Sequence, residues 1–359
     1  MSSLSSFSMV VRVDASSTVG TGHVFRCLAL TDELRLKGGS ATYVCAESRG
    51  NMASMLREKN YRVEMIPAGL PPAEDAAATL ATLSSEGGFD FLLVDHYELD
   101  MMFESPLRAI VRAIAAVDDL ANRPHDVDLL IDPSHEPEEA VIYHGLVSPN
   151  VELALGTNYI LLRREFFDSP RPKREFGAVK RLLVTLGGND PPNATGLALE
   201  ALDDPAFADI QVDLTLGTSN PRQEELREKA ARLSNVTMHL QSTQMAKIMA
   251  DADLCIGAGG TTAWERCFMG LPSLVLVLAD NQRDLAAKLD RMQCATNLGY
   301  ADLLDVKTLR SALLDAIQDA RWRDRIARTA MMQVDGHGVF RVLDKLAHVL
   351  ERKNTEVVV

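Results

Sequence analysis

The chain has 359 residues, 47% hydrophobic and 24% charged, with a formal net charge of −13 at pH 7. That length favours two domains, and the composition is that of a globular chain. The acidic balance disfavours nucleic acid or a membrane surface as partner, because either would need a basic face, whereas an anionic small ligand can be met by helix N-termini.

The opening "MSSLSSFSMVVRVDAS" has no basic region and no long apolar stretch, so no signal peptide is expected; no apolar run in the chain approaches bilayer length. "MVVRV" reads as a buried strand. After it comes "VGTGHVFRC" (residues 19–27), and a helix starts near His23, with Val24, Cys27, Leu28, Thr31 and Leu34 on one face and Gly38-Gly39 at its end. "ATYVC", "FLLVD" (91–95), "IAAVD" (114–118) and "LLID" (129–132) are further strands, the last three each ending on an acid. Short apolar runs without alternation, separated by helices, indicate a parallel sheet covered on both faces.

"RREFFDSPRPKREFG" (163–177) breaks the pattern and reads as a linker. The pattern then restarts with strands "RLLVTL" (181–186), "IQVDLTL" (210–216), "VTMHL" (236–240), "DLCIGA" (253–258) and "PSLVLVL" (272–278). Helices are expected at 222–233, 244–252, 307–319 and 321–352. The five cysteines (Cys27, Cys45, Cys255, Cys267, Cys294) form no C-x-x-C pair, which suits a reducing cytoplasm. The expected fold is α/β: two doubly wound Rossmann-like domains facing across a cleft.

In open parallel sheets ligands bind beyond the carboxyl ends of the strands. The clearest ligand signal there is "GAGGTTAWE" (257–265). Gly259 and Gly260 allow close backbone approach, and a helix starting near Thr261 points its positive end at the same place, an anion seat suited to a diphosphate. Glu265, one turn on, is placed to accept hydrogen bonds from ribose hydroxyls; the plainer reading is a strand-to-helix turn with Glu265 in solvent. "GGND" (187–190), containing Gly188, is a second such turn, with Asn193 as a helix cap, or a simple tight turn.

"GTGH" lacks the Lys-Ser/Thr of a phosphate loop, and Phe25 stands where a dinucleotide fingerprint needs its third glycine. His23 itself sits at a helix start, whose positive end disfavours imidazolium and keeps the ring available as a base; the alternative is a histidine that only caps or packs. Asp95-His96-Tyr97 either present polar groups to the cleft or end a strand by local bonding. Asp118-Asp119, Asp95 and Asp132 lie on different strands, and no histidine spacing points to a metal.

In order along the chain, "DASSTVGTGHVFRCLALTDEL", "LLVDHYELD", "VDDLANRPHDVDLLIDPS", "LGTNYILLRREF", "LLVTLGGNDPPNAT" and "ADLCIGAGGTTAWERCFMGLPSLVLVLADNQ" resemble the UDP-sugar hydrolases of pseudaminic acid biosynthesis. The resemblance runs from about residue 10 to about residue 290; "IDPS" (131–134) stands where that family more usually has a D-Q-N-type ending. It implies a GT-B-like fold, similar to the glycosyltransferase that adds N-acetylglucosamine in peptidoglycan synthesis. It also implies release of UDP from a UDP-2,4-diacetamido-2,4,6-trideoxyhexose by hydrolysis at the anomeric carbon, with inversion and with no metal or other cofactor. His23 matches the family's proposed base. Gly259, Gly260, Thr261 and Glu265 match its nucleotide seat, Asn281 and Gln282 its "A-x-N-Q" segment, and Tyr97 the aromatic after the D-H pair. With Gly20, Gly22, Arg163 and Gly188 these complete the expected substrate-binding set.

The corresponding domains are 1–165 with the catalytic histidine, 175–335 binding UDP, and a C-terminal helix over 336–359 packing back on the first. A cytoplasmic monomer with a small-molecule UDP-sugar as its partner is expected. Two alternatives stay open: a GT-B glycosyltransferase that passes the sugar to a sugar or lipid acceptor, and a nucleotide-sugar-binding protein without turnover. A dinucleotide oxidoreductase is disfavoured by Phe25 and by the second glycine-rich seat.

Overall fold

Strand-forming runs of Val, Leu and Ile separated by amphipathic helices leave one arrangement for the chain, parallel strands with helices on both faces. The computed structural model describes residues 7–15, 21–48, 50–83, 87–217, 220–240, 242 and 244–356. It divides into one unit of Met1–Arg164 with Gly336–Val359, and a second of Glu165–Asp335. No helix among the described residues is long and apolar enough to cross a membrane.

The first unit runs β1 (Ser8–Val13), α1 (Gly22–Leu36), β2 (Ser40–Ala46), α2 (Ala53–Glu58), β3 (Arg62–Ile66), α3 (Pro72–Leu83), β4 (Phe89–Asp95), α4 (Met101–Leu107), β5 (Val111–Val117), β6 (Leu129–Asp132) and β7 (Glu152–Leu155). Among the described residues its seven strands are parallel, in the order β3-β2-β1-β4-β5-β6-β7. Winding reverses between β1 and β4, so the crevice that such a sheet offers a ligand opens where those two strands end. Val10, Val44, Leu92, Val94, Ile114 and Leu130 fill one of its cores. α1 stops as expected at Gly38, whose φ of 90° a side chain would strain.

The second unit starts with α5 (Arg164–Phe167), whose first residue closes the first unit, and continues β8 (Arg181–Thr185), α6 (Ala194–Leu202), β9 (Gln211–Leu216), α7 (Gln223–Ala231), β10 (Val236–Leu240), α8 (Met245–Asp251), β11 (Leu254–Ala258), α9 (Thr262–Phe268), β12 (Ser273–Val277), α10 (Arg283–Arg291), β13 (Thr296–Tyr300), α11 (Val306–Gln318) and α12 (Ala320–Gln333). Six parallel strands in the order β10-β9-β8-β11-β12-β13 put the reversal between β8 and β11. The two glycine-rich turns, 187–190 and 257–262, follow these two strands and flank the switch point.

Two expectations change. The segment 163–177 is not a free linker: Arg174 donates to the carbonyls of Met249 and Met269 and of Ala252, Arg171 to those of Met331 and Val334, and Phe166 is buried against Phe268. Helix 321–352 is two helices. α12 ends at Gln333, Gly336 turns with φ 85°, and α13 (Gly338–Glu356) begins anew, so the chain leaves the second unit and rejoins the first there. Val339, Val342, Leu343, Leu346, Val349 and Leu350 of α13 are buried, and the helix packs on α1, β5 and β6. A Cβ at Gly338 would overlap the carbonyl of Ile160, which explains a glycine at this entry.

Candidate active site

His23 is the second residue of α1 and is 5% exposed. Its Nδ1 lies 2.5 Å from Oδ1 of Asp95, the last residue of β4, 72 positions away. Arg26, one helical turn after His23, grips the same carboxylate through Nε (2.5 Å to Oδ2) and Nη2 (2.6 Å to Oδ1), and Cys27 Sγ adds a weak bond at 3.5 Å. Burial works against ionisation of Asp95, but the charge of Arg26 and the hydrogen bonds from Arg26 and His23 outweigh it, so its pKa lies well below the ordinary carboxylate range. An ionised Asp95 accepts a hydrogen bond from Nδ1–H, so the ring proton stays on Nδ1. The 3.1 Å approach of Arg26 Nη2 to Nδ1 is then a side contact of a guanidinium already bound to Asp95. Nε2 keeps the lone pair, the tautomer a general base requires. The Tyr97 ring stands edge-on to the imidazole, centroids 4.5 Å apart at 89°, and fixes its plane.

Around this pair the strand ends form a row of buried and half-buried carboxylates, each answered by a cation or a histidine. Asp14, after β1, takes Arg12 (2.6 Å), the Ala46 amide (2.7 Å) and His96 Nε2 (3.2 Å), while His96 Nδ1 accepts from the Glu98 amide (3.1 Å). Nε2 of His96 thus ties the end of β4 to the end of β1, and Nδ1 holds the turn that follows β4, so both nitrogens are committed within the protein. Asp118 and Asp119 follow β5: Asp118 binds Arg123 at 2.9 Å, and Asp119 binds Arg26 Nη1 at 2.9 Å through Oδ2 while its buried Oδ1 has no partner. Asp132, ending β6, accepts from His135 Nδ1 (2.7 Å) and from the Tyr143 hydroxyl (2.8 Å). Among the described residues no group of three or more acidic, histidine or cysteine side chains is placed to hold a metal ion.

In the second unit β11 runs into Gly259-Gly260-Thr261 and α9. Ala263 and Trp264 close the first turn on the carbonyls of Gly260 and Thr261, at 2.9 and 3.2 Å. Among the described residues no acceptor meets the N–H groups of Gly260, Thr261 and Thr262, the usual donors of an anion site at a helix start. The glycines also serve packing: a Cβ on Gly259 would come within 3.1 Å of the Gln282 carbonyl and of Ala286 Cβ. Gln282 thus lies against the turn, 23 positions beyond Gly259 in sequence, and its Oε1 accepts from the Leu278 amide at 3.2 Å. Glu265 is 7% exposed, which excludes the solvent-exposed reading. Asn281 is exposed at the start of α10.

The other glycine-rich turn is built differently from its expected form. Asn193 has φ 59° and makes no side-chain cap; instead Asp190 (φ 47°) accepts the amides of Ala194 and Thr195, one on each carboxylate oxygen at 2.7 Å. A carboxylate already fills the start of α6, so those two amides are not available to a phosphate. Gly188 remains at the switch point, where its Cα would meet a Cβ on Gly217 at 2.5 Å.

Of the expected set, His23, Gly22 and Tyr97 come together in the first unit, with Arg163 close by, its guanidinium 5.1 Å from the ring centre of Phe25. Gly259, Gly260, Thr261 and Gln282 come together in the second, and Glu265 is buried further along α9. Gly20 lies outside the described residues. Sequence reasoning missed Arg26 and left Asp95 undecided; the available signal was an acid closing an apolar run, with histidine and arginine three apart at a helix start.

Residues 194–334 match the glycosyltransferase family 28 C-terminal domain. The spore coat polysaccharide biosynthesis protein SpsG of Bacillus subtilis is 28% identical over 212 residues, which are 58% of this chain and 61% of that protein. A UDP-2,4-diacetamido-2,4,6-trideoxy-beta-L-altropyranose hydrolase of Campylobacter jejuni is 24% identical over 280 residues, 77% of this chain and 94% of that enzyme. The crystal structure of MurG from Acinetobacter baumannii aligns with a TM-score of 0.66 at 15% identity, covering 95% of this chain and 99% of that one. The two parallel-sheet units are those of the GT-B glycosyltransferase fold.

Proposed function

We propose that the protein hydrolyses a UDP-linked 2,4-diacetamido-2,4,6-trideoxyhexose at its anomeric carbon, with inversion, releasing UDP and the free sugar for nonulosonic acid synthesis of the pseudaminic type. The observation that carries a catalytic role is the His23–Asp95 pair, in which Nδ1 is committed to a buried carboxylate. The Campylobacter hydrolase, matched over 94% of its length, supports water as the acceptor.

In this reading the second unit binds UDP. Amides at Gly260–Thr262 take the diphosphate, Glu265 takes the ribose hydroxyls, and Asn281 and Gln282 face the sugar. His23 Nε2 accepts a proton from water as the water oxygen bonds to the anomeric carbon and the carbon–oxygen bond to UDP breaks, its electron pair leaving with the diphosphate. Donors fixed at the helix start stabilise that departing charge without reorganising. Tyr97, Arg163 and the glycines at 22 and 188 border the sugar or give it clearance.

Proton NMR of the protein with the candidate UDP-sugar and no acceptor tests this. Free sugar of inverted anomeric configuration, formed equally well in EDTA, is the expected result. UDP released only when a sugar or lipid acceptor is added identifies a glycosyltransferase instead, the reading favoured by the family 28 match over residues 194–334. UDP-sugar bound but never cleaved identifies a binding protein.

A further inference from the structure

Arg266 lies on α9, one turn past Thr262, and is 1% exposed. Its Nη2 donates to the Ala258 carbonyl at 2.7 Å and its Nη1 to Thr262 Oγ1 at 3.4 Å, while its buried Nε has no partner. Among the described residues no carboxylate lies within ion-pairing distance of it. The other buried arginines differ. Arg12 and Arg26 each bind two carboxylates, and Arg323, like the half-buried Arg174, caps three carbonyls.

The ionisable thiols near Arg266 do not supply the missing charge. Burial pushes the Cys255 thiol up to about 11, and a hydrogen bond with Cys294, with burial, pushes Cys267 up as well. A guanidinium does not lose its proton in a protein. A full positive charge is therefore enclosed in the second unit with one good acceptor, an arrangement that costs stability unless an anion answers it.

The fold makes room for that charge. A Cβ on Gly257 would come within 2.5 Å of Arg266 Cζ and Nη1, so β11 gives up a side chain to seat the guanidinium. The seat lies directly against the turn Ala258–Thr262, through one carbonyl and one hydroxyl of that turn. The unanswered amides of Gly260, Thr261 and Thr262 belong to the same turn.

We propose that Arg266 is the built-in counter-charge of a diphosphate held at this turn, and that it makes the site prefer a nucleoside diphosphate over the bare nucleoside. It is a positioning residue: it acts on the ligand through its field and through Ala258 and Thr262, from beneath the turn. The inference rests on the reading of this turn as the UDP seat.

Calorimetry of the full chain with UDP, uridine and inorganic pyrophosphate tests it, in wild type, Arg266→Met and Arg266→Lys. Arg266→Met should weaken UDP and pyrophosphate about tenfold or more, leave uridine within about twofold, and leave the ligand-free melting temperature unchanged or raised, because an apolar side chain replaces an unanswered charge. Arg266→Lys should keep the UDP-to-uridine ratio within about threefold of wild type, and it carries the test if Arg266→Met does not fold. A folded Arg266→Met that binds UDP as wild type does, or loses uridine and UDP equally, overturns the role of Arg266 alone; so does a lysine variant whose ratio collapses. Wild-type protein that binds neither UDP nor pyrophosphate overturns the seat itself, and the role of Arg266 with it.

Discussion

At the scale of single residues, the proposed chemistry depends on one proton position. His23→Ala removes the base and should lower turnover by more than about a hundredfold, with UDP affinity little changed. Asp95→Asn is the sharper test. An amide can accept from Nδ1 but can equally donate to it, so the imidazole loses its fixed tautomer, and a loss of about 10²–10⁴ in turnover is expected. The same change leaves Arg26 with a neutral partner, so turnover is to be measured per mole of protein shown to be folded by circular dichroism. Turnover near wild type in His23→Ala would remove His23 from the role of base, and in Asp95→Asn it would remove Asp95 from fixing the tautomer. The histidine itself was legible from its position between a strand and a helix. Its partner was not, because the pairing spans 72 positions and exists only once β1 and β4 lie side by side.

At the scale of elements, the central strands were legible and the edges mostly were not. β8, β11 and β12 are continuous apolar runs because both their faces are covered, whereas β3, β7 and β13 mix polar residues into half-buried positions and have no such run. How elements are tied was less legible still. The cap of α6 falls to Asp190, whose left-handed backbone sets both oxygens against the helix start. Asp190→Ala should cost about 2 kcal/mol in urea unfolding, and Asn193→Ala much less.

A second tie joins α4 to the end of β5. His125 Nδ1 lies 2.7 Å from Glu104, and its Nε2 lies 3.6 Å from Asp118. Burial lowers the affinity of His125 for its proton, but the nearby Asp118 carboxylate and the hydrogen bond with Glu104 outweigh this and push its pKa up to about 9. The folded state then binds a proton that the unfolded chain releases near about 6.5. Its stabilisation is complete below about 6.5 and is lost as pH rises through about 9, to a limit of about 3 kcal/mol. Asp14 and Asp118 act at the other end. Burial raises both, but His96 and Arg12 outweigh it at Asp14, and His125 and Arg123 at Asp118, so their contribution fades as pH falls below about 4. The melting temperature should fall between about pH 6.5 and 9, and His125→Gln should flatten that fall; an unchanged slope in the variant would exclude this tie as its source.

At the scale of the whole molecule, the chain crosses from one unit to the other twice, near residue 164 and near residue 336. The first unit is therefore not complete when its sheet is complete. Six aliphatic side chains of α13 are buried in it, each worth about 1.5–3 kcal/mol, so together they match the whole net stability of an ordinary domain, about 5–15 kcal/mol. Lys345 to Glu152 (2.5 Å) and Lys353 to Asp128 (2.8 Å) add ties to β7 and to the residue before β6. A chain ending at Asp335 should consequently lose the cooperative unfolding of the first unit and keep that of the second, whose elements all lie between residues 165 and 335. Calorimetric scans with and without UDP separate the two. If the proposed nucleotide seat is right, UDP at about 100 times its Kd adds about 2.7 kcal/mol to the surviving transition, because the ligand binds the folded second unit and not the unfolded chain. A truncated chain that still shows both transitions would mean that the sheet of the first unit holds without α13. A surviving transition that ignores UDP would place the nucleotide elsewhere.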